Sequence, residues 1–328
     1  MRDRPAGVSD DDLCRTLADG WWLDVAATDY APVGGGSYHW IVRDREGHRW
    51  FATVDDLDQK RWLGSTRDAV AEGLATAMEL AVALRDDASL PFVLAPVMAR
   101  NGAAIVRLGC AYAVAVYPYV DGACGVFGKE LPTGERRQVA DMLAALHRAA
   151  PSGVRVPPHQ VELAQRNDLE AALSDVGQPW DGGPLSEPAR ALLAPRAGQV
   201  RHLLARFDRL AERVTALGTV ITHGEPHPAN LLMTGTETLL IDWDTVGLAP
   251  PERDLWWVIS DSTGWEARRY ARASGWSVDP AALALYRLRW ALDDLSIFAG
   301  QLRSGHDRSA DAEHALRAIE ITLAGLPA

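Results

Sequence analysis

Along the first third of the chain, apolar and polar residues alternate with the two-residue period of half-buried strands. In "SYHWIVRD", Tyr38, Trp40 and Val42 fall on one face, and "RWFATV" repeats the pattern after a turn at Glu46-Gly47. An earlier run beginning at "WWLDV" is expected to end near Val33, where Gly34, Gly35 and Gly36 turn the chain. The period then lengthens. In "STRDAVAEGLATAMELAVALRDD", Val70, Leu74, Met78, Ala81 and Leu84 form a helical stripe. Ser65 is placed to cap that helix, and Asp68 lies in its first turn, where the dipole favours negative charge. "FVLAPV", "AAIVRL" and "YAVAVYPYV" return to strand character, which predicts the order β-β-β-α-β-β-β.

After Asp121-Gly122 the helical period takes over. "TGERRQVADMLAALHRAA" reads as a helix, and Pro/Gly-rich connectors come after it at "APSGVRVPP" and "GQPWDGGPLSEP". The long run from Ala189 to Leu217 is expected to break or kink near Pro195, which lacks a helical N–H. A short strand in "TLLIDWD" precedes a helical C-terminal region. A chain of 328 residues exceeds the roughly 250–300 at which single cores stop growing, so two lobes are expected. The change of pattern places a sheet-rich lobe over 1–120, a connector near 117–122, and a larger, mainly helical lobe over 123–328.

Composition narrows the partners. A net charge of −11 disfavours nucleic acid and anionic membranes and suits a cationic small molecule, although a simply self-repelling soluble surface gives the same number. Cys14, Cys110 and Cys124 are odd in number and widely spaced, which fits neither a disulfide framework nor a metal knuckle and suits a reducing cytoplasm. The first residues, "MRDRPAGVSDDDL", contain no apolar h-region, and "CAYAVAVYPYV" is too short to span a bilayer.

The chemistry concentrates in "THGEPHPAN" and in the dozen residues after it. Phosphoryl transfer needs a carboxylate at the acceptor hydroxyl, oxygen ligands for Mg²⁺ and a cradle for the phosphates. Kinases space these as H-R-D-L-x-x-x-N followed by D-F-G. This chain carries His223, Gly224, Glu225 and Asn230 in the same eight-residue frame, and Asp242 twelve residues further on. "NLLMTGTETLLIDWD" reads as strand, turn, strand, which would bring Asn230 and Asp242 to one end, where both can ligate a metal.

These motifs resemble the aminoglycoside phosphotransferases and related small-molecule kinases, whose loop reads H-G-D-x-x-x-x-N, then I-D-W, then G-x-P-x-x-D-L. The counterparts here are "HGEPHPAN", "LIDWD" and "GLAPPERDLWW"; "GGGSYHW", "YPYVDG" and "MLAALHRA" extend the likeness over most of the chain. The "YRLRW" and "GEPHP" segments resemble most the spectinomycin-type branch. The resemblance implies a two-lobed, protein-kinase-like α+β fold. It implies ATP (or GTP) and Mg²⁺ as co-substrate and cofactor, with 1–120 as the nucleotide-binding lobe and 117–122 as its hinge. Glu225 would be the catalytic carboxylate, Asn230 and Asp242 the metal ligands, and His223 and Asp254 braces of the loop. Gly34, Gly35, Gly36 and Ser37 would cover the phosphates, and Tyr117 to Asp121, with Tyr119 among them, would meet the base through backbone groups.

Two departures stand out. Glu225 replaces the family's Asp and reaches one methylene further, on the order of 1 Å, a displacement that can cost about 10²-fold if nothing compensates. The third strand, "WFATVDD", carries Thr53 or Val54 where a kinase has its phosphate lysine. Lys60, or else Arg43 or Arg49, is the expected substitute, with Glu72 as its ion-pair partner; Lys60-Arg61 also reads as an ordinary solvated pair.

Trp256, Trp257, Tyr286 and Trp290 read as core aromatics or as an aromatic substrate wall. Asp261, Asp293 and Asp294 read as an acidic pocket for substrate ammonium groups, or, for the latter two, as partners of Arg287 or Arg289. The expected activity is O-phosphorylation of a small antibiotic, an aminoglycoside or aminocyclitol such as a spectinomycin-like compound, conferring resistance, by a cytoplasmic monomer or homodimer. The alternatives are a kinase for a choline-like, sugar or amino-alcohol metabolite, and a nucleotide-binding pseudokinase.

Overall fold

The computed structural model describes residues 1–163, 165–214 and 217–327. It opens on α1 (Asp10–Trp21), which the strand-like pattern of the first third does not announce. Its start signal is local: the Ser9 hydroxyl accepts from the Asp12 N–H at 3.1 Å, and the Asp12 carboxylate accepts from the Ser9 N–H at 3.2 Å. Strands β1 (Val25–Ala31), β2 (Tyr38–Asp44) and β3 (Arg49–Asp56) then run antiparallel in sequence. Helix α2 (Arg67–Asp86) leads to β4 (Val106–Leu108) and β5 (Tyr112–Pro118), completing a five-stranded antiparallel sheet in the order β1-β2-β3-β5-β4.

Period-two patterning decides which face of this sheet is buried. Tyr38, Trp40 and Val42 turn inward against Leu13 and Leu17 of α1. Trp40 is fully buried because its one polar atom, Nε1, finds an acceptor at Asp10, 3.0 Å away. The stripe of α2 from Val70 to Leu84 is buried as its spacing predicts. Its cap, however, is Thr66 rather than Ser65: Oγ1 of Thr66 accepts from the Ala69 N–H at 3.2 Å. "FVLAPV" is not a strand. Pro91 and Pro96 remove ladder donors there, leaving a single bridge of Val93 to Leu240 and one bond from the Val97 N–H to Val116 O. In "AAIVRL" only the last three residues pair.

Beyond the sheet come β6 (Ala123–Cys124), α3 (Thr133–Leu146), α4 (Arg166–Ser174), α5 (Ser186–Leu193) and α6 (Ala197–Val214). The break expected near Pro195 is a single tight turn at Ala194–Arg196; positions 215–216 of that run lie outside the described residues. Next are β7 (Val220–Thr222), β8 (Leu231–Met233), β9 (Thr238–Leu240) and β10 (Gly247–Ala249). Helices α7 (Glu252–Leu255), α8 (Trp265–Ser274), α9 (Pro280–Arg303) and α10 (Ala310–Ala324) end the chain. The architecture is α+β, a five-stranded antiparallel sheet followed by a mainly helical region.

Packing divides the residues into two compact units, Met1–His159 with Gly218–Val278, and Gln160–Leu217 with Asp279–Ala328. The first unit runs past residue 120, since β6 pairs with β8 and ties the segment after Asp121 to the hairpin beyond the HGE loop. The second unit is a helical core in which Leu285, Leu292, Leu295 and Leu302 of α9 are completely buried. Truncating any of these to Ala would cost about 2–5 kcal/mol. Among the described residues no helix is long and apolar enough to cross a membrane.

Candidate active site

The loop that leaves β7 is held from beneath by one buried carboxylate. Asp254 of α7 accepts the backbone N–H of His223 at 2.8 Å and of Gly224 at 2.6 Å, and His147 Nε2 lies 3.0 Å from it. Tyr270 OH lies 2.7 Å from the other ring nitrogen of His147. Gly224 sits at φ +102°, and a Cβ there would collide with Arg253 and with Thr245 Oγ1. Arg253 in turn binds Thr222 Oγ1 and the Thr245 carbonyl, so the start of the loop is tied to the segment that follows Asp242. His223 braces it internally: Nε2 donates to the Ile241 carbonyl at 2.9 Å, and Nδ1 accepts from the Glu225 N–H at 3.2 Å. Both contacts suit a neutral ring, and burial pushes the pKa of His223 down to about 4.

The β8–β9 hairpin closes the site in register. Leu231 faces Leu240, and the Ile241 N–H donates to Asn230 O at 3.0 Å, which puts Asp242 one residue beyond Asn230's partner. Asp242 takes a left-handed backbone, φ +66°, rare for a residue with a Cβ. The buried Trp243, bonded through Nε1 to Leu240 O, holds the chain there. The Asn230 amide nitrogen donates to the Glu225 carbonyl at 2.9 Å; its amide oxygen is the end with metal-ligand chemistry.

Four carboxylates here feel one another's charge, and they divide by access. Asp242 is exposed and the Glu225 side chain is 33% exposed, whereas Asp55 and Asp244 are buried. Between the buried pair sits Lys60, only 1% exposed, with Nζ 3.1 Å from Asp55 and ion-paired to Asp244. Burial opposes the charge on Lys60, but Asp244, Asp55 and Asp242 outweigh it and raise its pKa. Dense surrounding protein, then the charges of Asp244, Glu225 and Asp55, push the Asp242 carboxyl well upward, with Lys60 opposing. Burial raises the Glu225 carboxyl, but His227, His223 and Arg253 overcome it and hold it below its ordinary value.

One lysine among four carboxylates leaves an excess of negative charge, which a divalent cation would relieve. Among the described residues no three His, Cys, Asp or Glu side chains converge as a closed metal cage. Mg²⁺ does not require one, since it is usually held by one or two carboxylates together with phosphates and water. The oxygen donors of Asn230 and Asp242 fit that ion.

The other expected residues are placed unevenly. Gly34 to Ser37 lie over Lys60: a Cβ on Gly36 would come 4.0 Å from Lys60 Nζ, and Ser37 Oγ donates to Asp55 at 2.6 Å. Glu72 is exposed on α2 and is not the lysine's partner; Asp55 and Asp244 are. Arg43 is exposed, and Arg49 is taken up by Asp121 and by the Tyr119 ring, 4.2 Å away. The Tyr119 N–H donates to Arg49 O, and Tyr117 OH donates to Met78 Sδ at 3.0 Å.

Trp257 belongs to an aromatic cluster, 5.1 Å from the His227 ring and 6.0 Å from the half-exposed Phe127. His227 Nε2 lies 3.7 Å from Glu225 Oε2. Asp261 is exposed and accepts from the Thr263 N–H. Trp290, Asp293 and Asp294 lie on α9, in the second unit. Asp293 pairs with Arg289 at 3.3 Å, the plainer of its two expected roles, and Asp294 accepts from Thr322 Oγ1. Asp55, Asp244, His147 and Phe127 join the site without having been singled out from the sequence. Their only signals are the doubled acids of "VDD" and "IDWD" and the "LHRA" motif.

An accessible carboxylate beside a second, cation-ready carboxylate is the pairing that phosphoryl transfer needs. On a sheet-then-helices fold it defines the protein-kinase-like phosphotransferases. Residues 32–286 match the family model described as the phosphotransferase enzyme family, APH, and the chain belongs to that family. It is 28% identical over 306 residues to Protein StrN of Streptomyces griseus, covering 88% of this chain and 83% of that protein. Its fold is similar to spectinomycin phosphotransferase APH(9)-Ia, solved with ADP and spectinomycin, at a TM-score of 0.73 and 14% identity over 97% of this chain and 98% of that one. It is also similar to a microcompartment-associated aminopropanol kinase, at a TM-score of 0.59 and 17% identity over 96% of each chain. The chain is accordingly a small-molecule kinase.

Proposed function

We propose that this kinase uses ATP and Mg²⁺ to phosphorylate a hydroxyl of a small cationic antibiotic of the aminoglycoside or aminocyclitol class, with 1–120 supplying the nucleotide side. The observation that carries this reading is the accessible Glu225 carboxylate flanked by His227, Trp257 and Phe127. Such a flank suits the C–H face of a saturated sugar-like or cyclitol ring and the ammonium groups attached to it. The acidic chain, with its net charge of −11, favours a cationic acceptor. The likeness to APH(9)-Ia is one of fold and adds an analogy.

In the transfer, the bond between the γ-phosphorus and the bridging oxygen breaks, a bond from the acceptor oxygen to that phosphorus forms, and ADP leaves. Glu225 orients the acceptor hydroxyl and takes its proton late. Its depressed pKa keeps it ionised for that role, and His227 steadies the carboxylate. Asn230 and Asp242 would hold Mg²⁺, which when bound neutralises charge on the phosphates. Lys60 supplies the cation missing from β3.

Mass spectrometry tests the reading, with ATP or GTP offered alongside spectinomycin, aminoglycosides, choline and aminopropanol. Gain of one phosphoryl group on an aminocyclitol or aminoglycoside is expected. Turnover on the amino alcohols alone would replace this reading with the metabolite kinase, whose fold the aminopropanol kinase shares. Glu225→Gln is expected to lower kcat by about 10²–10⁴-fold. Glu225→Asp is expected to lower it by about 10²-fold, because the loop is built around the longer side chain.

A further inference from the structure

Lys60 reaches the site by an unusual route. Kinases of this fold hold their strand lysine with a glutamate on the next helix. Here the corresponding helix, α2, turns Glu72 to solvent. The lysine itself comes after β3, past the turn at 57–59, and its ammonium folds back onto the strand it left. The carboxylate it meets, Asp55, is buried and has a second partner: it accepts the Ser37 hydroxyl of the glycine loop at 2.6 Å. Asp44, the other buried acid of the sheet, is occupied elsewhere, by the His48 N–H and Trp50 Nε1.

The geometry points to Asp55 as the positioning residue for the phosphate-binding half of the site, holding Lys60 and the glycine loop through one carboxylate in place of a helix glutamate. This rests on the proposed role of Lys60. The anchor lies within the same strand-and-turn segment as the lysine, with only four residues between them. Its position is set by the register of β3 against β2 and β5, where Asp55 faces Ala113 and Val54 faces Tyr38. Competence of the nucleotide site is therefore uncoupled from any movement of α2, and it is coupled instead to the seating of Ser37. A buried ammonium with two carboxylate partners also keeps one partner, Asp244, when the other is neutralised. Asp55→Asn should therefore shift Lys60 rather than expel it.

The test uses affinity for ATP–Mg²⁺ relative to adenosine, measured by calorimetry on the full chain. Lys60 and the glycine loop act on phosphates, so the ratio reports their placement, while adenosine binding reports an intact fold. Asp55→Asn is expected to lower the ratio about tenfold with adenosine affinity unchanged, the size of one charge-assisted hydrogen bond. Asp55→Glu, which keeps the charge but displaces it, is expected to fall between wild type and Asp55→Asn. Glu72→Gln is expected to leave the ratio alone. A wild-type ratio in Asp55→Glu, or an equal loss in Glu72→Gln, overturns the assignment; either result is readable even where Asp55→Asn does not fold. Lys60→Met separates the two levels. If it leaves the ratio unchanged, the role of Lys60 itself is wrong and the anchor falls with it. If Lys60→Met lowers the ratio and Asp55→Asn does not, only the anchor is wrong.

Discussion

Asp254, which binds the loop after β7, and Asp242, which follows the β8–β9 hairpin, are driven by their surroundings in opposite directions. Asp254 is fully buried, yet His147, Arg253 and His223 outweigh burial and hold its carboxyl below the ordinary range. Asp242 is pushed well above that range by the dense protein around it and then by its carboxylate neighbours, with only Lys60 opposing. Burial alone does not set the state of a carboxylate; the count of donors against rival acids does. The satisfied acid is a brace. The frustrated acid is the one a cation would relieve, and strongly perturbed acids cluster at functional sites.

The strongest way to break this contrast is to remove each acid in turn. Asp254→Ala leaves two loop N–H groups and His147 without their acceptor in a dry interior. It is expected to cost about 3–5 kcal/mol in denaturant unfolding, or to prevent folding. Asp242→Asn is expected to do the reverse. It relieves repulsion, so the thermal midpoint without Mg²⁺ should stay level or rise, while phosphate transfer falls by about 10²–10³-fold. A destabilised Asp242→Asn protein would end the contrast.

His223 sharpens it through pH. Its folded-state pKa, about 4, lies below the unfolded value near 6.5, so the native state resists protonation. Stability from this group is complete above pH 6.5 and is lost as pH falls toward 4. Between pH 6.5 and 4.5 wild type is expected to lose about 2–3 kcal/mol that a His223→Gln protein does not lose. Equal losses in both proteins would show that His223 is not held neutral. The smallest effect concerns the accessible side. Trp257→Ala is expected to raise KM for the acceptor about tenfold and leave KM for ATP alone, as for one aromatic contact.

Much of this was legible before folding. The alternation of Tyr38, Trp40 and Val42 and the stripe from Val70 to Leu84 predicted buried faces, because period alone decides which side a residue takes. Helix α1 was legible only in Ser9 and Asp12, since capping is local and the flanking pattern was not helical. "FVLAPV" was misleading because apolar content promises burial but not pairing, and Pro91 before it and Pro96 within it cannot donate to a ladder. The Thr66 cap differs from the expected Ser65 by one position, the usual uncertainty of helix ends.

The sequence by itself determined the family, the α+β class and the motif residues Glu225, Asn230 and Asp242, because these depend on spacing along the chain. Tertiary structure decided the partners. That Lys60 would meet Asp55 and Asp244 rather than Glu72 depends on which side of α2 faces water and on where the β8–β9 hairpin delivers Asp244. Residues 184 positions apart meet only through packing, and electrostatic energy depends on distance in space, not on separation in sequence.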